Sequence, residues 1–236
     1  MGDPTSASES ADAGQLDGPE LHPALNDWQL TALARRIYAS GPRLTWHQTL
    51  TTVYRPLYAP FGLILRWIPP GATMLDLGCG TGTLLLLAHA LKPLAKGYGV
   101  DNQLAPIRLA QAVNHDPRIT FVRHETVPVE IIREANVIAL IDIFHHVPAA
   151  EKFPLLQRLI DHAGSGSVVI VKDLDPRPRW RACANRVTDF LSTRSRVDYA
   201  AMTDVQAFFR RNGLTVLHTQ RWNRQIWSHY LVVSRT

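Results

Sequence analysis

The sequence predicts an α/β domain built on a doubly wound, parallel sheet, and three observations carry that expectation. From residue 70 onward, short apolar segments alternate with longer helix-like ones. The short segments are apolar almost throughout rather than at every second position, as strands buried on both faces are. A glycine-rich turn leads from the first of them into an apolar helical stretch, and parallel strands linked through helices make right-handed crossovers.

The elements follow in order. Residues 1–34 hold six acids and no Lys or Arg, so the overall charge of +5 leaves +11 on the remainder. The first 26 residues are rich in Ser, Ala, Gly, Pro and Asp. Such a segment cannot offset its own ordering entropy, and a disordered acidic tail is expected over 1–26. Over 27–69 the spacing is helical, first through Leu30, Leu33, Ala34 and Ile37. A second helical stretch runs from Trp46 through Leu50, Val53, Tyr54, Leu57, Phe61 and Ile64 to Trp67, and Pro69-Pro70-Gly71 stops it.

Strands are then expected over Thr73–Leu77, Gly97–Val100, Ile119–Val122, Asn136–Ile141 and Ser167–Val171. Helices are expected between them, over Thr81–Lys92, Leu104–Val113, Val129–Glu134 and Ala149–His162. Near the end, Thr203-x-x-Gln206 reads as a capping box and Gly213 as a helix stop. Leu214–Thr219 and Trp227–Val233 close the chain as two further strands.

Composition bounds the function. At 236 residues and 46% apolar, the chain can bury a real core in one domain with a modest extension. Two cysteines argue against a disulfide framework and against a zinc cluster, so no metal is expected. No apolar run is long enough to span a bilayer and no charged-then-apolar leader opens the sequence; a soluble, cytoplasmic protein without stable membrane insertion is expected. The basic remainder is compatible with an acidic substrate, nucleic acid or a lipid surface, and selects none of them.

The most informative residues are Met74-Leu-Asp-Leu-Gly-Cys-Gly-Thr-Gly-Thr83. An apolar strand closes on an acid, Asp76, and turns through Gly78, Gly80 and Gly82 into a helix. A turn of this kind leaves room for a ligand against backbone N–H groups at a helix N-terminus. The spacing is G-x-G-x-G; a dinucleotide fingerprint wants its third glycine one place later, where Thr83 stands. Asp101 ends the next strand. Its carboxylate suits both hydroxyls of a ribose, and it equally suits the N-cap of a helix beginning at Asn102.

The segment resembles motif I of the class I S-adenosylmethionine-dependent methyltransferases. The resemblance implies a seven-stranded, Rossmann-like sheet whose last strand is antiparallel, with residues 70–236 forming the methyltransferase domain and 27–69 a helical lid. It implies S-adenosylmethionine as cofactor, held by Asp76, Gly78, Cys79, Gly80 and Gly82, with Asp101 and the adjoining Asn102 at the ribose. After the third strand, His124 or Glu125 stands where the family often has an acid for the adenine amino group; Asp142, after the fourth, matches another acid, beside the methionine moiety. Capping the following loop would serve Asp142 as well.

For the acceptor, the expected class is a small molecule, methylated on oxygen and apolar or acidic in character. His146, following the fourth strand, and His229, opening the last one, are candidate general bases, each with a structural role as the alternative. Tyr54 and Tyr58 are candidates for an aromatic acceptor pocket in the lid, or for simple core packing. Lys172 to Arg181 follows the fifth strand, and Asp173 and Arg179 are its candidate substrate contacts. Six Arg between 177 and 196, with Trp180, Ala184, Val187 and Leu191 at helical spacing, read as a basic amphipathic helix. No Asn/Asp-Pro-Pro-aromatic motif follows the fourth strand, which disfavours methylation of an exocyclic base amine, and no Pro-Cys follows it for a cysteine-dependent carbon methylation. An RNA methyltransferase and a non-methylating protein on the same fold are the competing readings; no nucleic acid is expected. The sequence sets no oligomeric state.

Overall fold

The last N-terminal helix ends at Leu65, before Pro69-Pro70-Gly71, which delivers the chain to the centre of the sheet. The computed structural model describes residues 25–176, 198–224 and 227–236. Seven strands form one sheet in the order β3-β2-β1-β4-β5-β7-β6. Their ranges are β1 Thr73–Leu77, β2 Lys96–Asp101, β3 Ile119–Arg123, β4 Val137–Ile141, β5 Val168–Leu174, β6 Thr215–Arg224 and β7 Trp227–Arg235. The first five pair in parallel, and β7 runs antiparallel against both β5 and β6.

Helices cover both faces: α4 Thr83–Leu91, α5 Leu104–Val113, α6 Val129–Glu134, α7 Ala149–His162 and α8 Met202–Arg211. Successive strand residues point to opposite faces, so both sets must be apolar. Met74 of β1 enters the core cluster shared with α4 and α5, while Leu75 enters the one shared with α6, α7 and α8. Helix α4 is apolar around most of its surface, and Leu84 to Leu87 are all buried. Among the described residues no helix is long and apolar enough to cross a membrane.

The N-terminal region is α1 Asp27–Tyr38, α2 Trp46–Thr52 and α3 Phe61–Leu65. Asn26 caps α1 in a reciprocal capping box with Gln29, so the last residue of the expected tail is part of the helix start. Leu30, Ala34 and Tyr38 form the buried stripe, each large member contributing about 1.5–3 kcal/mol of burial. The expected single helix from Trp46 to Trp67 is broken in two. Pro56 sits in a short 3₁₀ turn and Pro60 opens α3, where an interior helical N–H would be needed.

Two further expectations change. The capping box at Thr203 is absent: α8 starts at Met202 after Ala201, so Thr203 is already inside the helix. Strand β5 continues past Val171 because β7 lies beside it, pairing Lys172 with Leu231, Asp173 with Tyr230 and Leu174 with His229. Residues read as a loop at the mouth of the crevice are therefore strand. The tail before Leu25 and the basic segment 177–197 lie outside the described residues.

Candidate functional site

Strand order reverses between β1 and β4, and ligands of such sheets sit beyond the carboxyl ends of the strands at that point. The glycine turn occupies it. Gly78, Gly80 and Gly82 all have positive φ, of 72°, 55° and 82°. A side chain at Gly78 would place its Cβ 2.1 Å from the Ile143 Cγ2, and at Gly82 2.5 Å from the Phe121 ring. At Gly80 the nearest atom is Arg55 Nη1, 4.0 Å away. Gly78 and Gly82 are thus seams of close packing, and Gly80 is the open face of the turn.

The turn's backbone donors are used differently from the expectation of a bare N–H cradle. Gly78 and Cys79 donate to the Val100 carbonyl at 2.7 and 3.2 Å, which ties the turn to β2. Gly80 donates to Asp101 Oδ2 at 2.9 Å. Asp101 therefore faces the turn. Its Oδ1 accepts from Gln103 N at 2.8 Å, but α5 begins at Leu104 with Gln103 as its N-cap, so the helix expected to begin at Asn102 with Asp101 as N-cap starts downstream. Asn102 is exposed, and its carbonyl accepts from Arg123 Nε. Cys79 is buried in the core between the turn and Gly99.

Four ionisable groups, Asp76, Asp142, Arg55 and Lys172, converge beside the turn. Asp76 is 2% exposed; burial pushes its carboxyl up to about 7, with Arg55 opposing and Asp101 adding to the rise. Asp142 follows β4 with φ 57°, a left-handed conformation uncommon outside glycine. Its carboxylate pairs with Lys172 and, at 3.4 Å, with Arg55. Burial alone would raise the Asp142 carboxyl, but the Lys172 and Arg55 charges outweigh it and hold it well below the usual carboxylate range. A cavity of only about 10 Å³ is lined by Arg55, Asp76, Gly78, Thr83 and Ile141 among others. Ligand pockets run from about 300 Å³ upward. The Arg55 side chain forms part of this lining, reaching from the N-terminal region to Asp142 and the Ile141 carbonyl.

The N-terminal region also grips the start of α4. The Tyr38 hydroxyl donates to the Thr81 carbonyl at 2.7 Å and meets Thr83 Oγ1 at 3.0 Å. Burial pushes the Tyr38 phenol up to about 12 despite those two bonds. Thr52 adds contacts to the hydroxyls of Thr81 and Thr83. Tyr54 accepts from Arg35, and Tyr58 donates to the Leu50 carbonyl at 3.2 Å. Burial raises the Tyr58 phenol, with Arg55 opposing and Asp142 adding to the rise. Of the other aromatic side chains in this region, Trp46 is 76% exposed and Phe61 is core.

The remaining expected residues spread over the carboxyl edge of the sheet. Glu125 and His124 are exposed in a surface hollow with Arg123 and Thr126. Asp173 is 2% exposed, and its oxygens accept from the Leu174 and His145 backbone N–H groups and from the His145 ring. His146 is exposed, and its ring centroid lies 4.1 Å from that of His145. His229 is buried and stacks on Trp222 at 5.5 Å. Arg179 lies outside the described residues.

Sequence reasoning gave Arg55 no role beside the glycine turn and Lys172 and His145 no role of their own, and it passed over Tyr38. Lys172 carries a readable signal, a lone cation directly after the apolar run Val168–Val171 and before Asp173. Arg55 and Tyr38 carry none, because their partners are far away in the chain.

Residues 46–219 match the family described as a methyltransferase domain. No curated protein matches the sequence. Among solved structures, the chain is similar to magnesium protoporphyrin IX methyltransferase from Synechocystis PCC 6803 with bound SAH, at 17% identity and a TM-score of 0.60, covering 85% of this chain and 91% of that one. It is similar to an S-adenosylmethionine-dependent methyltransferase from Mesorhizobium loti, at 17% identity and a TM-score of 0.62, covering 76% and 99%. An O-methyltransferase family protein from Burkholderia thailandensis aligns at 16% identity and a TM-score of 0.59, covering 90% of this chain and 63% of that one.

Proposed function

Since this chain belongs to the class I S-adenosylmethionine-dependent methyltransferases, we propose that it methylates a small-molecule acceptor, on oxygen. The observation that carries the reading is the Asp101 carboxylate, one strand away and hydrogen-bonded to the open face of the glycine turn at Gly80. The donor set fits the cofactor. Asp101 suits the ribose hydroxyls, buried Asp76 suits the ammonium group, and Arg55 suits the methionine carboxylate. Gly78, Cys79, Gly80 and Gly82 form the wall, Asp142 orients Arg55 and Lys172, and Asn102 and Glu125 lie toward the adenine end. When bound, the cofactor supplies an electrophilic methyl group on a sulfonium.

The helices of residues 27–69 act as the cover of this site, since Tyr38, Thr52 and Arg55 all reach the turn or its neighbours. Displacing Arg55 from Asp142 opens the narrow cavity. The chain then aligns donor and acceptor, and alignment supplies much of the rate of such a displacement. Oxygen as the acceptor atom draws support from the Burkholderia O-methyltransferase family relative. Tyr54, Tyr58 and Arg179 are proposed at the acceptor's side.

Calorimetry with S-adenosylmethionine tests the reading, together with release of S-adenosylhomocysteine. Asp101→Ala removes two charge-assisted hydrogen bonds, each worth about 1.5–3 kcal/mol. Affinity is expected to fall by at least about 100-fold; the lost bonds to Gly80 and Gln103 also cost stability, so affinity is measured under conditions where urea denaturation shows the variant folded. Unchanged affinity removes Asp101 from the site.

Asp76 adds a pH dependence with a definite sign. Its carboxyl, pushed up to about 7, is neutral below that pH, and a cationic ammonium ligand favours the ionised form. Cofactor affinity is therefore expected to rise with pH up to about 7 and then level off. Binding at pH 6 should release protons, read as a dependence of calorimetric heat on the buffer's ionisation enthalpy. The ligand-free protein shows the opposite sign, since a raised acid costs stability as pH climbs from the ordinary carboxylate range toward 7. An affinity that is flat between pH 5 and 8 excludes Asp76 as the ammonium partner.

A further inference from the structure

We propose that the outer faces of α1 and α2 dock the protein on an anionic lipid surface. The docking stands apart from the methyl-transfer reading, since it needs neither cofactor nor acceptor.

Four large apolar side chains stand exposed among the described residues, and three of them belong to these two helices. Trp46 is 76% exposed, Trp28 69% and Leu50 47%. Trp46 and Leu50 lie one turn apart on one face of α2. Trp28 and Arg35 lie two turns apart on one face of α1. The two faces meet at Tyr54, one turn beyond Leu50. Arg35 donates to the Tyr54 hydroxyl and lies over its ring, 5.7 Å from the centroid. The opposite faces are already used, because Leu30, Ala34 and Tyr38 of α1 and Thr52 of α2 are buried against the domain. Trp28, Trp46 and Leu50 thus form an apolar surface of their own, outside the core.

The charge on this surface has one sign. Residues 28–75 hold five Arg and not one acid, in a chain with 20 acids. Arg55 turns inward to Asp142, while Arg35, Arg36 and Arg43 are exposed. Arg35 and Arg36 stand in the last turn of α1, and Arg43 lies three residues before Trp46. Asp27, the acid that precedes them, is at the far end of α1.

Trp and Leu beside Arg, with no acid among them, suit the boundary between headgroups and acyl chains. The rings and the leucine enter the apolar edge, and the guanidiniums meet anionic headgroups. Other occupants fit less well. A second copy related by a two-fold axis would set this face against itself, Arg facing Arg. Single-stranded RNA wants platforms on which bases stack. Leu50 offers no ring face, and Trp46 stands edge-on to His47, at 90° and 5.9 Å. Docking has a consequence for the site, because these helices reach the glycine turn through Tyr38 and Thr52. On the methyl-transfer reading, it carries the cover of the site to the layer where an apolar acceptor concentrates.

Flotation of the full chain with lipid vesicles tests the docking. Vesicles of phosphatidylcholine mixed with phosphatidylserine should carry the protein upward, and added salt should release it. Vesicles of phosphatidylcholine alone should carry far less. Arg43→Gln should weaken partitioning about fivefold, from about 1 kcal/mol per cation near an anionic surface. Trp46→Ala with Leu50→Ala should weaken it at least about tenfold. Trp46→Phe should keep most of it. All three side chains are exposed, so urea denaturation and S-adenosylmethionine calorimetry should match the wild type. A second measurement needs only the conservative variant: lipids brominated in their acyl chains should quench the fluorescence of the wild type more than that of Trp46→Phe. Absence of binding to the mixed vesicles, equal binding to both kinds, or binding that every variant leaves intact overturns the proposal. So does a dimer in light scattering that Trp46→Ala dissolves, or single-stranded RNA binding that these variants remove while vesicle binding stays. A protein that binds S-adenosylmethionine but no vesicle loses the docking and keeps the methyltransferase reading; one that binds vesicles but no cofactor does the reverse.

Discussion

Replacing Gly78 with Ala is expected to cost about 2–5 kcal/mol of stability, and to abolish measurable cofactor binding at concentrations where the wild type is saturated. Two costs add. A non-glycine residue at φ 72° is disfavoured by about 1–2 kcal/mol. The new methyl group would also sit 2.1 Å from Ile143 Cγ2 and 2.9 Å from its Cβ and Cδ1. Ile143 is branched at Cβ and cannot swing one methyl away without moving the other, so the overpacking adds about 1–3 kcal/mol. Relief requires the turn to move off β4, which displaces Gly80 from Asp101. Urea denaturation read by two probes, with S-adenosylmethionine calorimetry on the folded fraction, checks it. A variant within about 0.5 kcal/mol of wild type rules out the tight seam between Gly78 and Ile143.

Lys172→Met is expected to destabilise by about 3–5 kcal/mol, because it leaves the Asp142 carboxylate without its nearest cation. Lys172 is 1% exposed, and Met replaces most of its stem, so lost packing contributes little. Arg55 remains, but at 3.4 Å and half-committed to the Ile141 carbonyl. The double variant Lys172→Met with Asp142→Asn should recover part of the loss, since both charges are then gone. The pH dependence has a fixed sign. Asp142 is held below the usual range, so its pairing contributes stability above about pH 4 and loses it as pH falls through the depressed value. The gap between wild type and variant should narrow below that pH. Equal stabilities at pH 7 would mean that the buried pair is not maintained in solution.

The alternation of strands and helices was legible because it is local. Thr73–Leu77, Leu104–Val113, Val129–Glu134 and Ala149–His162 coincide with observed elements. The glycine turn was legible for a related reason: three positive φ values within five residues leave few alternatives to glycine. Asp101 was legible as the acid at a strand end; that it turns toward Gly80 is seen only in the fold. The N-terminal helices were less so. Helical periodicity runs through Pro56 and Pro60, and the loss of backbone donors there outweighed it.

Other features are decided by residues far apart in the chain. Strand β5 ends at Leu174 rather than Val171 because β7, more than fifty residues later, is there to pair with it. That pairing turns Asp173 from a mouth-of-the-crevice acid into a buried one, and so brings it to His145. His145 and His146 are adjacent in sequence and indistinguishable by type, yet one is buried against a carboxylate and the other exposed. Arg55 offers no local sign that it will reach Asp142.

By itself, then, the chain's order of residues determined the layered architecture, the glycine turn and the acid facing it, since these follow from backbone conformation and apolar periodicity over a few neighbours. Which histidine is held, which cations meet Asp142, and how narrow the cavity is were decided only by the packed fold. Those depend on the direction and burial of side chains brought together across the sheet, and no short stretch of sequence carries that information.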